Sequence, residues 1–123
     1  MRQALAAIVV APAGPFRDAL ESNLCAPAFR VIASKARLSD IIRGELPGSE
    51  PCLVVIECGE SLGPLSGEIA QLKQQNPLAR VVVVGRYWMP ADIATAFEAG
   101  AKAYFAEAAV SKEFLQAINL LKR

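Results

Sequence analysis

A single carboxylate, Glu57, closes the apolar run Leu53-Val54-Val55-Ile56 and is followed by Cys58 and the loop GESLGP. A short apolar run bounded by turn residues reads as a strand buried on both faces, the centre of a parallel sheet. In open α/β sheets, ligands and chemistry gather at the carboxyl ends of such strands, which is where Glu57 stands. Few other groups could act with it. The chain has no histidine, which removes the commonest general base, the usual hydrolytic triads and the most frequent metal ligand. Its three cysteines, Cys25, Cys52 and Cys58, are odd in number and form no C-x-x-C pair. That pattern argues against a disulfide framework, a dithiol redox motif or a zinc site, and favours buried thiols in a reducing cytoplasm.

Phosphate-binding loops are also missing. There is no G-x-x-x-x-G-K-[ST], no G-x-G-x-x-G and no G-x-S-x-G nucleophile elbow. The loop APAGPF, residues 11–16, has one glycine and no hydroxyl residue to hold a phosphate or a flavin. Cys25 and Arg30 stand one residue too close for a C-x5-R phosphate loop. An ordinary cofactor enzyme is therefore poorly supported, and the expectation is a protein that is not an enzyme. At 123 residues, 54% hydrophobic and 20% charged, the chain reads as one folded domain. A net charge of +1 leaves no electrostatic footprint for nucleic acid or an anionic membrane. No apolar run approaches the roughly 18 residues of a membrane helix. The start, MRQALAAIVVAPAG, superficially resembles a leader, but its short β-branched run reads as a first strand.

The elements that must position Glu57 follow from periodicity. Leu5–Ala11 forms a first strand. Pro15 suits a first helical turn, Phe16, Leu20 and Leu24 mark one helix face, and Pro27 breaks it. Phe29–Ala33 is a second strand, and Leu38, Ile41 and Ile42 mark a short helix stopped by RGELPGSEP. After the Glu57 strand, Pro64 opens a third helix with Leu65, Ile69 and Leu72 inward, ended by Asn76-Pro77. Arg80–Val84 is a buried strand. A fourth helix follows Met89-Pro90, with Ile93 and Phe97 inward and Gly100 at its left-handed end. Ala103–Phe105 is the fifth strand. Ser111 caps a last helix, stapled by Val110 and Leu115, whose inner stripe is Phe114, Ile118 and Leu121. Five alternations of strand and helix predict a flavodoxin-like, doubly wound (βα)5 sandwich with a parallel sheet in the order 2-1-3-4-5.

The strings GPFRDALESNL, PCLVVIE, LARVVVVGRY and AGAKAYFAEAAVSKEFLQAI, in this order over nearly the whole chain, resemble a response-regulator receiver domain. The likeness is to the NarL/FixJ/LuxR type of the CheY-like superfamily. The resemblance implies a module of bacterial two-component signalling and assigns family positions to residues of this chain. The acidic pair that helps bind Mg²⁺ falls on Ala11 and Pro12. The phosphoacceptor aspartate falls on Glu57, the Ser/Thr that reports on the phosphoryl group on Gly85, the phosphate-pairing lysine on Glu107, and the aromatic switch residue on Tyr104.

These departures compound. Mg²⁺ wants octahedral oxygen ligands, and carboxylates supply them in sites of this kind. Phosphoryl transfer is catalysed almost entirely by positioning and charge neutralisation. The expectation is a degenerate receiver with no catalytic residues and no cofactor, Mg²⁺ included, working as a phosphorylation-independent interaction or dimerisation module in signalling or transcription control. Two alternatives stand beside it: a receiver that keeps Mg²⁺ binding with Glu57 as acceptor, and a small-ligand sensor using a vacated pocket near Ala11, Glu57 and Trp88. Glu57 reads either as a built-in phosphate mimic or as a strand-end carboxylate sharing a proton with Glu107; the missing hydroxyl and lysine partners favour the second. Tyr104 reads as a switch residue lacking its hydroxyl partner, or as a half-buried edge-strand tyrosine. Tyr87, Trp88 and Met89 read as a binding hot spot or as a lid on the pocket. Candidate interface residues are Ala94, Lys102, Tyr104, Lys112, Gln116, Asn119 and Lys122. The expected partner is a protein or a second copy, with DNA reached only through a domain outside this chain, no membrane, and a cytoplasmic location.

Overall fold

The computed structural model describes residues 4–24, 28–42, 51–59 and 62–107. Among the described residues five strands and four helices alternate. They are β1 (Leu5–Val10), α1 (Pro15–Asn23), β2 (Phe29–Lys35), α2 (Ser39–Ile42) and β3 (Cys52–Gly59), then α3 (Gly63–Gln75), β4 (Ala79–Gly85), α4 (Pro90–Ala99) and β5 (Ala103–Ala106). All strand pairs are parallel, in the order β2-β1-β3-β4-β5. This is the flavodoxin-like arrangement expected from the alternation. The loop RGELPGSEP up to residue 50, Cys25, Pro27 and the last helix with Ser111, Val110, Phe114, Leu115, Ile118 and Leu121 lie outside the described residues, as do Lys112, Gln116, Asn119 and Lys122. No helix among the described residues is long and apolar enough to cross a membrane.

The strands are uninterrupted Val/Ile/Leu runs because both faces of a parallel sheet are covered. Successive side chains serve opposite cores. Ile8, Val54, Ile56, Val81 and Val83 pack with Leu38, Ile41, Ile69, Leu72 and Ala96 of α2, α3 and α4 and the turns beside them. Ala7, Val9, Leu53, Val55, Val82 and Val84 pack with Leu20 and Leu24 of α1 and its end. β3 and β4 are the most fully buried strands, and both deliver their carboxyl ends to one edge of the sheet.

Two expectations change. β3 does not stop at Glu57: it runs to Gly59, with its register against β4 shifting between Glu57 and Gly59. Phe97 is not an inner residue of α4 but half exposed, at 49%. Ala96 takes the buried place and packs in the core with Val81, Val83 and Tyr104.

Gly100 ends α4 at φ 117°, and its amide is bonded to Phe97 O. A Cβ there would stand 3.0 Å from Lys73 Cγ. Gly100→Ala should destabilise the domain by about 1–2 kcal/mol, the usual cost of a left-handed residue with a side chain, measured as a lower urea midpoint at unchanged m-value.

Candidate functional site

The carboxyl edge of the sheet brings together most of the residues assigned from sequence. β1 ends at Val10, and Ala11 follows it fully buried, its amide donating to Lys35 O at 2.8 Å. Pro12 is exposed. Glu57 is half-buried near the end of β3, and Glu107 lies one residue beyond β5, on the far side of β4. Their carboxyl groups come within hydrogen-bonding reach of each other. Burial raises the Glu57 carboxyl above the usual carboxylate range; the approach of Glu107 and its charge raise it further, while Arg86 opposes both. Glu57 thus has a second carboxyl group as its near neighbour at this edge. The metal-donor set is correspondingly thin. Ala11 and Pro12 offer no side-chain oxygen, and no group of three or more His, Cys, Asp or Glu side chains gathers among the described residues.

The second cluster is formed by Gly85 and Tyr104. β4 and β5 pair Val83 with Tyr104 and Gly85 with Ala106, so Tyr104 and Gly85 are diagonal neighbours, within reach of an aromatic side chain. The tyrosine ring swings across the end of β4 into the core under α3 and α4 and is only 6% exposed. A Cβ on Gly85 would lie 1.8 Å from the Tyr104 hydroxyl oxygen and 2.6 Å from Cζ. Both cannot be present. The hydroxyl donates to Tyr87 O at 2.8 Å, and Trp88 meets the ring edge-on, centroids 5.9 Å apart at 77°, a favoured aromatic geometry. Cys58 Sγ lies within hydrogen-bonding reach of the same hydroxyl.

Tyr104 is therefore neither half-buried nor available as a surface contact. A short edge strand can bury it because residue 85 has no side chain. Burial, with Cys58 and Asp92 adding to it, pushes the Tyr104 phenol up to about 12. Burial and then Asp92 push the Cys58 thiol up to about 11. Cys58 is a neutral packing thiol at physiological pH and offers no thiolate for covalent chemistry.

Beside Glu57 a cleft of about 400 Å³ opens between the β1 and β2 loops and α3, lined among others by Pro12, Arg37, Leu38, Glu57, Leu65 and Glu68. Neither Ala11 nor Trp88 lines it, so the pocket differs from the one expected near those residues, and the aromatic loop is no lid over it. Tyr87, Trp88 and Met89 are instead 65%, 64% and 48% exposed. Of the expected interface residues, Ala94 and Lys102 are exposed. Sequence reasoning missed Arg17, which reaches back from α1 to donate from Nη1 to Ala11 O at 3.3 Å, and Asp92, whose charge bears on both Cys58 and Tyr104. Asp92 had a legible signal, an acid in the first turn of a helix; the reach of Arg17 had none.

No family model matches the sequence, and no curated protein matches it. Solved structures do. The signal receiver domain of the response regulator NarL from Mycobacterium tuberculosis superposes with a TM-score of 0.78 at 15% identity, covering 98% of each chain. A CheY-like protein from Pseudomonas aeruginosa, tadZ, gives 0.77 at 22% identity over 95% of this chain and 98% of its own. An orphan response regulator of H. pylori gives 0.76 at 18% identity over 100% of both. The chain has the fold of the response-regulator receiver domains.

Two measurements probe the edge. Gly85→Ala should expel Tyr104 from its seat, costing about 1–3 kcal/mol as overpacking does, with a red shift of the single tryptophan as Trp88 loses its neighbour. Glu57→Gln should act through pH. A carboxyl whose folded value is raised adds stability that is complete below its unfolded value and is lost as pH rises through the folded value. The variant should therefore gain on wild type as pH climbs from about 4 through the raised folded value and hold a constant advantage above it, read from melting temperatures.

Proposed function

We propose that this chain is a receiver-type module that acts through protein contacts in bacterial signalling or transcription control, without phosphorylation. The observation that carries the reading is the approach of the Glu107 carboxyl group to that of Glu57. By the resemblance, these positions belong to the phosphoacceptor and to the cation that pairs with the phosphoryl group. A phosphoryl dianion formed on Glu57 would face a second carboxyl group. The charge that develops in phosphoryl transfer has to be neutralised by metal and cation, and among the described residues the cation whose charge bears on Glu57 is Arg86. Mg²⁺ would find no side-chain oxygen at Ala11 or Pro12, where the family's acidic pair would supply ligands for a hard octahedral cation.

Tyr104 supports the same reading from the other side. Its inward seat depends on the absence of a side chain at Gly85, so no hydroxyl at that position is left to couple a phosphoryl group to the tyrosine. The proposed output is a fixed surface offered to a protein partner or to a second copy; DNA would be reached only through a domain outside this chain. Chemical-shift mapping with Mg²⁺ and beryllofluoride tests the reading. Amides around Glu57 and Gly85 should show no saturable shift. Saturable shifts there would instead establish a receiver that still takes up phosphate on Glu57.

A further inference from the structure

The cleft beside Glu57 joins an apolar floor to a divided set of charges. Val10 and Ile56, near the ends of β1 and β3, and Leu38, from the turn before α2, line it as fully buried side chains. Leu65 of α3 packs against the same core and is half-buried at the cleft. Glu68 stands three residues further along α3 and so shares its face with Leu65. Two carboxyl groups, Glu57 and Glu68, therefore line the cleft from β3 and α3, while Arg37 and Ser39, both exposed, line it from the β2–α2 side. At about 400 Å³ the space falls within the range of sites that enclose a small organic group. Glu57 is also short of positive charge. Glu107 approaches it, and among the described residues the opposing charge is that of Arg86; the cleft brings Glu57 a further acid in Glu68.

We propose that this cleft receives a lysine side chain of a partner protein, its hydrocarbon stem laid along Leu38, Ile56 and Leu65 and its ammonium placed between Glu57 and Glu68. The inference rests on the interaction-module reading and gives the partner a chemistry. Charge complementarity is the first argument, since the lining sets two carboxyl groups against one guanidinium. The union of apolar and acidic surface is the second. A lysine covers apolar surface with its methylene stem while a compact ammonium at the tip meets the acids. A hydrated metal ion would answer the charge but not the floor, and no group of three or more metal-binding side chains gathers among the described residues. Arg37 supplies the third argument, which separates a peptide from a free amine. A guanidinium on the same cleft opposes any cation that comes alone. A peptide brings carbonyl oxygens beside its lysine, and Arg37 and the Ser39 hydroxyl are donors for them. The surface differs from the one expected from sequence: it lies on the β1, β2 and α3 side of Glu57, away from α4 and β5.

Amide shifts of the nitrogen-15-labelled chain, titrated with the capped tripeptide Ala-Lys-Ala, test this. Amides of Leu38, Glu57, Leu65 and Glu68 should move saturably, with a Kd on the order of 1–10 mM for so small a probe. The same tripeptide with norleucine for lysine keeps the stem without the charge, and n-butylamine keeps stem and charge without the carbonyls. Each should bind at least ~tenfold more weakly. Glu68→Lys should abolish the response while leaving the remaining spectrum folded. Glu98→Lys, the same change of charge at an exposed position on α4, should leave it unchanged. No saturable shift with the lysine peptide would overturn the proposal, as would equal binding of the norleucine peptide, or a response lost equally in Glu68→Lys and Glu98→Lys. Binding of n-butylamine as tight as that of the peptide would assign the cleft to free amines and overturn the partner protein as its occupant. The interaction-module reading would fail separately, through uptake of the phosphate mimic.

Discussion

Residue 85 has no side chain, and Tyr104 occupies the space. The rest of the functional edge depends on that exclusion. With the hydroxyl 1.8 Å from where a Cβ would be, the phenol can cross the end of β4, reach Tyr87 O and fill the core beneath α3 and α4. The β4–α4 loop is thereby held from inside, and its aromatic side chains have nowhere to go but outward. A buried hydrogen bond of this kind adds little net free energy; losing it while the phenol stays buried costs more. Its larger effect is to select one conformation of the loop.

The electrostatics of the edge point the same way. The carboxyl ends of the five strands gather Glu57, Glu107 and Arg86, with Arg17 reaching back to Ala11 O from α1. At that edge burial and the neighbouring Glu107 raise the Glu57 carboxyl, and Arg86 opposes them. Receiver domains at 15–22% identity nevertheless superpose along almost the whole chain. Strand order and core are maintained by apolar side chains of suitable size, which many sequences supply. The chemistry rests on a few polar positions that can change without disturbing the fold.

That difference also governs what could be read from the residues alone. The five strands, their order and the inward faces of α1 and α3 were legible because Val/Ile/Leu runs and the Leu65–Ile69–Leu72 spacing report burial directly. Phe97 was misjudged because a large apolar residue at a helical spacing reads as core, whereas the structure uses Ala96 there. Gly85 could be recognised as a departure from the receiver pattern, yet its purpose could not. The residue that explains it, Tyr104, is 19 positions away in sequence and meets it only through the register of β4 with β5. The neighbourhood of Glu57 and Glu107 followed from fold order; the approach of their carboxyl groups needed coordinates.

The central claim is that Tyr104 has one resting place, whatever occupies the edge of the sheet. Fluorine NMR of the chain labelled with 3-fluorotyrosine observes it directly, since Tyr87 and Tyr104 are the only two tyrosines and Tyr104→Phe assigns the signals. The account predicts a single narrow resonance for Tyr104, unchanged on adding Mg²⁺ and beryllofluoride. Exchange broadening, or a second resonance that grows with those reagents, would contradict it.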